Sequence, residues 1–172
     1  LVVFLVTVMF GSVFWRTGFL INDNVTIANT LVGVADGHLH VDEIRYGVAN
    51  SPGMHLIDGR LYGRNYGHVF LALPFLWLIE GVATVADPRI AVSAFWGLLV
   101  LGLATLLGRE FDHEWEASVL GSALSLLVFG VNVALATPLS PEWFPLLALQ
   151  MSTTVASGFV AVLLYRLVTG IY

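Results

Sequence analysis

Cysteine is absent from this chain, and with it go disulfides, thiolate nucleophiles and zinc–thiolate sites. Lysine is absent too: all seven basic residues are Arg, set against twelve Asp and Glu. A net charge of −5 leaves no basic footprint of the kind that nucleic acid requires, so nucleic acid is excluded as a partner. Charge of either sign is scarce. Only 11% of residues are charged, less than half the share usual in a water-soluble domain, while 58% are hydrophobic. So little polar surface cannot wrap the apolar remainder in water, and a lipid bilayer is the expected solvent for much of the chain.

What is present is a set of long apolar runs. A spanning helix needs about 20 mostly apolar residues. Residues 1–15, 90–107, 117–136 and 144–164 meet or approach that length with almost no charge, and Trp15-Arg16 makes an interfacial anchor after the first. The run 1–15 has neither a basic leader nor a small-residue cleavage site and reads as a membrane helix, with both chain ends falling beside apolar runs. Residues 69–86 have the length, but Pro74 removes a backbone donor and Glu80 is expensive in hydrocarbon. If that segment spans, Arg109 and Arg166 fall on the outer side. If it lies flat along the surface they fall inside, as the positive-inside rule prefers. The expected fold is all-α: a polytopic transmembrane helical bundle, one domain over residues 1–172, in the cell membrane. Its long external loop, 16–68, would bear short juxtamembrane helices.

Polar residues gather in that loop. Asn22-Asp23-Asn24 offers helix caps, and Val25, Ala28, Leu31, Val32 and Ala35 recur at helical spacing, predicting a short amphipathic surface helix ending near Gly33–Gly37. Asp23 at its start serves equally as a cap, a general base or a cation ligand. Asn24-Val-Thr26 fits the glycosylation sequon of an outward-facing loop. His38, His40 and Asp42 would face one way in an extended segment, a metal-ligand pattern that also arises by chance. Asp58-Gly and Asn50-Ser-Pro-Gly53 mark turns. Arg60, Tyr62, Arg64 and Tyr66 then stand at the head of an apolar run. Guanidinium groups bind phosphate bidentately and helix N-terminal amides add to the grip, although an Arg/Tyr belt is also common at membrane surfaces. Glu142, after Thr137-Pro-Leu-Ser-Pro141, emerges on the face of Asp23 if 69–86 lies flat. Two acids converging there would make an acid/base or divalent-cation site, whereas a lone Glu at a helix start merely suits the helix dipole.

The stretch Asp58-Gly-Arg-Leu-Tyr-Gly-Arg-Asn-Tyr-Gly-His-Val-Phe-Leu-Ala-Leu-Pro74 resembles the D-G-x-x-Y-x-K-Y-P-P-G-x-x-L-L-A-x-P segment of GT-C glycosyltransferases, the polytopic enzymes related to protein O-mannosyltransferases and aminoarabinose transferases. The order of features is similar: a span, an acid just past it, a long external loop, the Asp-Gly…Tyr stretch, then spans with a further acid between them. The resemblance covers the N-terminal part of such an enzyme. It implies a polyprenyl-phosphate-linked sugar as donor and transfer outside the cytoplasm. It also implies Asp23 as catalytic base or metal-linked acid, Glu142 as the second acid, and Arg64 as the donor-phosphate contact. The segment 69–86 would lie along the surface. Asn24 stands where many relatives have a second acid, and Asn65-Tyr-Gly-His68 replaces Tyr-Pro-Pro-Gly; both changes bear on metal use and donor geometry. Two other readings compete, a transporter and a non-catalytic assembly subunit. A transporter should bury ionisable groups within its spans, and apart from Glu80, whose segment 69–86 need not span, those here carry only weakly polar groups such as Asn132, Gln150, Ser152 and Thr153.

Overall fold

The computed structural model describes residues 2–12, 22–47, 54–135 and 140–171, with the side chains of residues 22–24 and a few others outside the description. Described residues are mostly helical. In chain order they form α1 (Val2–Ser12), α2 (Asn22–Ala35), β1 (His40–Val41), β2 (His55–Ile57), β3 (Arg60–Tyr62), α3 (Tyr66–Ala83), α4 (Pro88–Glu110), α5 (Glu114–Leu135), a 3₁₀ turn (Pro141–Trp143) and α6 (Phe144–Ile171). Among the described residues four helices are long and apolar enough to cross a membrane, as a multi-pass membrane protein requires: Tyr66–Ala83, Ile90–Arg109, Glu114–Val131 and Pro141–Gly170. Three of them match expected spans. The fourth is the doubtful segment, which continues as one helix through Pro74. The expected first span gives a helix of 11 described residues, and 13–21 lie outside the description. The three short strands depart from the all-α expectation.

The fold divides into two compact units. One comprises Leu1–Phe14, Val82–Leu139 and Thr154–Tyr172. Its centre is the α4–α5 hairpin, closed by small residues that let the backbones approach. A Cβ on Gly121 would lie 2.5 Å from Ala104 Cβ, and one on Gly108 2.4 Å from Ala117 Cβ. Ser125 Oγ donates to the Gly97 carbonyl at 2.7 Å. The hairpin turns through Asp112 in the left-handed region (φ 60°), with His113 N donating to Gly108 O at 2.8 Å. Phe4 of α1 packs against Phe159 of α6, ring centroids 5.0 Å apart. The outward faces are apolar: Phe10, Leu98, Leu120, Leu126 and Leu163 are all exposed. That is the surface expected of helices solvated by lipid.

The other unit comprises Trp15–Gly81 and Ser140–Thr153. The expected amphipathic helix forms, but as α2 it is buried along every turn from Val25 to Gly33 rather than on one stripe. Its end follows the glycine rule: Gly37 is left-handed (φ 86°) and His38 N reaches back to Gly33 O at 2.9 Å. Asp58 and Gly59, at φ 50° and 76°, form the two-residue turn that lets Ile57 pair with Arg60. β3 lies between β1 and β2, antiparallel to both. At Gly63, after β3, the chain touches α2 so closely that a Cβ would stand 1.6 Å from Thr30 Oγ1. Asn65, left-handed at φ 58°, then starts α3, its carbonyl accepting from Val69 N at 3.1 Å.

Candidate functional site

Asp23, Arg60, Tyr62, Arg64, Tyr66 and Glu142 belong to the second unit, as do His38, His40 and Asp42. Asp23 lies in the first turn of α2, but its side chain falls outside the described residues. Arg64 occupies the junction between β3 and α3, half-buried, with its Nε buried. The contact of Gly63 with Thr30 therefore holds the residue before Arg64 against the helix that carries Asp23. Arg60 is exposed just after the hairpin turn. Tyr62 sits mid-sheet, opposite His40 on one side and His55 on the other, its ring centroid 6.2 Å from that of His40. Because residues two apart on a strand share a face, Arg60 and Tyr62 point the same way. Tyr66 serves the fold: its hydroxyl donates to the Leu39 carbonyl at 2.5 Å, fastening the start of α3 to the segment before β1.

Glu142 is exposed in the 3₁₀ turn that opens α6. Its main chain is held from elsewhere in the unit, because Tyr46 Oη donates to the Glu142 carbonyl. Tyr46 is held in turn by Asn29, a fully buried residue of α2. Asn29 Oδ1 accepts from Arg45 N at 2.9 Å and Tyr46 N at 3.1 Å, and Asn29 Nδ2 donates to Tyr46 O at 2.8 Å. Burial pushes the Tyr46 hydroxyl above its ordinary range. The Arg45 charge opposes this and the Glu142 charge adds to it.

Two further polar contacts complete the unit. His68, one turn into α3, has Nε2 2.9 Å from Thr153 Oγ1 on α6. Thr153 Oγ1 also lies 2.8 Å from Leu149 O, so the one hydroxyl joins the imidazole to the backbone of α6. Asp42 shares its carboxylate between two imidazoles, His38 Nδ1 at 3.0 Å and His40 Nε2 at 2.7 Å. The three residues gather around a segment that is extended only at His40–Val41 and bends on either side, and each Asp42 oxygen is engaged by an imidazole. Among the described residues no group of three His, Asp or Glu side chains is arranged to hold a metal ion. For the expected cation pair, only the Glu142 side chain is described.

Asn29 and Tyr46 were not singled out from the sequence; His68 was noted only within the stretch 58–74 and Thr153 only as a weakly polar group of a span. Asn29 lies on the polar side of the expected surface helix, where an amide needs no partner, and no local pattern marks it as a buried anchor. No protein-family model matches the chain, and neither a curated protein nor a solved structure matches it.

Proposed function

We propose that this protein is a GT-C-like glycosyltransferase of the cell membrane, moving a sugar from a polyprenyl-phosphate carrier to an acceptor hydroxyl on the external face. One observation carries the reading: a single compact unit collects the α2 turn with Asp23, the β3–α3 junction with Arg64 and the 3₁₀ turn with Glu142. From that unit starts α6, apolar enough to enter lipid, where a greasy carrier must reside, and the apolar α3 lies along the surface beside it in this reading. Asp23 takes the proton of the acceptor hydroxyl as its oxygen attacks the anomeric carbon. The bond from that carbon to the phosphate oxygen breaks, and its electron pair leaves on the polyprenyl phosphate. Arg64 binds that phosphate through charge-assisted hydrogen bonds. Glu142 is the second acid, orienting the acceptor. With the Tyr66 proton donated to Leu39, the phosphate grip rests chiefly on Arg64.

Carrier affinity, measured for the protein in lipid nanodiscs with a polyprenyl phosphate, tests this. Charge-assisted hydrogen bonds contribute about 1.5–3 kcal/mol. Arg64→Ala should therefore weaken binding roughly ten- to a hundredfold. Arg64→Lys, which keeps the charge without the planar fork, should recover part of the loss. Arg109→Ala, at the α4–α5 turn, should bind as the native chain does. Equal losses for Ala at 64 and at 109 would reduce the effect to general membrane electrostatics and end the phosphate assignment.

A further inference from the structure

The 3₁₀ turn that presents Glu142 is three residues long, with Trp143 N donating to Ser140 O at 2.9 Å and Phe144 N to Pro141 O. So short a turn does not fix its own orientation; something outside it must. Besides α6, into which the turn runs directly, Tyr46 holds it, its hydroxyl reaching the Glu142 carbonyl across 96 residues of sequence. Tyr46 would be a poor anchor if its own backbone were loose, and it lies in irregular chain between α2 and β2. Asn29 removes that freedom. Its side-chain oxygen and nitrogen take both the N–H and the C=O of Tyr46, as a neighbouring strand would. It does so from the interior of α2, six residues along the same rigid helix from Asp23.

We infer that Asn29 and Tyr46 are positioning residues of the proposed site, a relay that ties the main chain of Glu142 to the helix bearing Asp23. The residue types suit that role. An amide at 29 both accepts and donates, whereas Asp would keep the two acceptances and lose the donation. A phenol at 46 supplies length, rigidity and one directional proton, and Phe would keep the first two alone. A neutral phenol is also what the relay requires, and burial together with the Glu142 charge favours that form. The inference rests on the glycosyltransferase reading for the meaning of Glu142, but the tether itself is a physical claim that stands apart from it.

The described residues contain no cysteine, and neither does the rest of the sequence, so a single Glu142→Cys carries a spin label cleanly. In the protein reconstituted in nanodiscs, Tyr46→Phe should sharpen the spectrum of that label, and Asn29→Asp should do so as well. Tyr165→Phe, on the exposed part of α6, should not. A label at Arg60→Cys on the hairpin should be unaffected by Tyr46→Phe, which separates a released tether from an unfolded unit. In chains that keep Glu142, Tyr46→Phe should lower kcat for sugar transfer roughly tenfold while carrier KM stays within about twofold, the signature of misplacement rather than lost binding. Unchanged label mobility at 142 in both variants overturns the relay whatever the activity. A mobilised label with no change in kcat overturns the positioning role. A mobilised label in a protein whose native form transfers no sugar overturns the reaction and leaves the tether standing.

Discussion

The two units hold themselves together by different means. The α4–α5 hairpin closes on small residues, Gly97, Ala104, Gly108, Ala117 and Gly121, and its described ion pairs, Arg109–Glu114 and His113–Glu116, sit at the exposed turn. The unit containing α2 holds most of the buried apolar side chains, Leu31, Val69, Leu76 and Leu149 among them, and buries polar groups with them: Thr26, Asn29 and Thr30 are at most 1% exposed. Thr30 satisfies its hydroxyl on Thr26 O at 2.7 Å, and Asn29 spends three hydrogen bonds on the chain at 45–46. Lipid gives helices no hydrophobic reason to associate, so close fit does the work in one unit. In the other, apolar burial is joined by directional hydrogen bonds, where irregular backbone must be held in place. A site that must aim carboxylates and a guanidinium is served by the second arrangement. In the first, the described charged side chains stay with the hairpin turn and the helix ends.

Glycine substitutions should separate the two arrangements by sign and size. Gly63→Ala drives a methyl into Thr30 Oγ1 and should destabilise its unit by about 3 kcal/mol or more, read as a fall in thermal midpoint in detergent. Gly121→Leu wedges α4 from α5 at Ala104 and should cost about 1–3 kcal/mol. Gly130, on α5 with open space around it, should tolerate Ala and gain up to about 1 kcal/mol from helix propensity. If Gly63→Ala were as harmless as Gly130→Ala, the tight packing of the β3–α3 junction on α2 would be wrong.

The smallest expected effect is a pH dependence. The folded state holds the Tyr46 proton more tightly than the unfolded chain does. Its contribution to stability is complete below the unfolded Tyr value of about 10 and fades as pH rises through the higher folded value. The native protein should therefore lose thermal stability in alkali by slightly more than Tyr46→Phe does. Parallel curves for the two would contradict the burial of that hydroxyl.

Local signals carried much of the fold. Asn22 and Gly37 bracket α2, Asp58-Gly59 makes the hairpin turn, and the apolar runs locate α4, α5 and α6, because caps, turns and hydrophobic runs act over a few residues. Signals that depend on distant partners did not carry. β1 is two residues long, and its pairing with β3 joins positions 40 and 62 with nothing in either stretch to announce it. α2 was expected on the membrane surface because its apolar residues repeat at helical spacing, yet its polar side is buried as well. Thr26, Asn29 and Thr30 find partners there that only the folded chain supplies. The same holds for the candidate site. Arg64 and Glu142 could be picked out as charged residues beside apolar runs, but the Asn29–Tyr46 link that constrains Glu142 spans 17 and then 96 residues.

The most direct measurement compares the native protein with Asp23→Asn in proteoliposomes holding a polyprenyl-phosphate-linked sugar and an acceptor, following release of polyprenyl phosphate. Asp23 lies in the first turn of α2, where the near-isosteric Asn removes the charge at little cost to the start of the helix. A general base at Asp23 predicts an unchanged thermal midpoint and a loss of at least about a hundredfold in rate, within the range such a group contributes. Sugar transfer at the native rate by Asp23→Asn would contradict it.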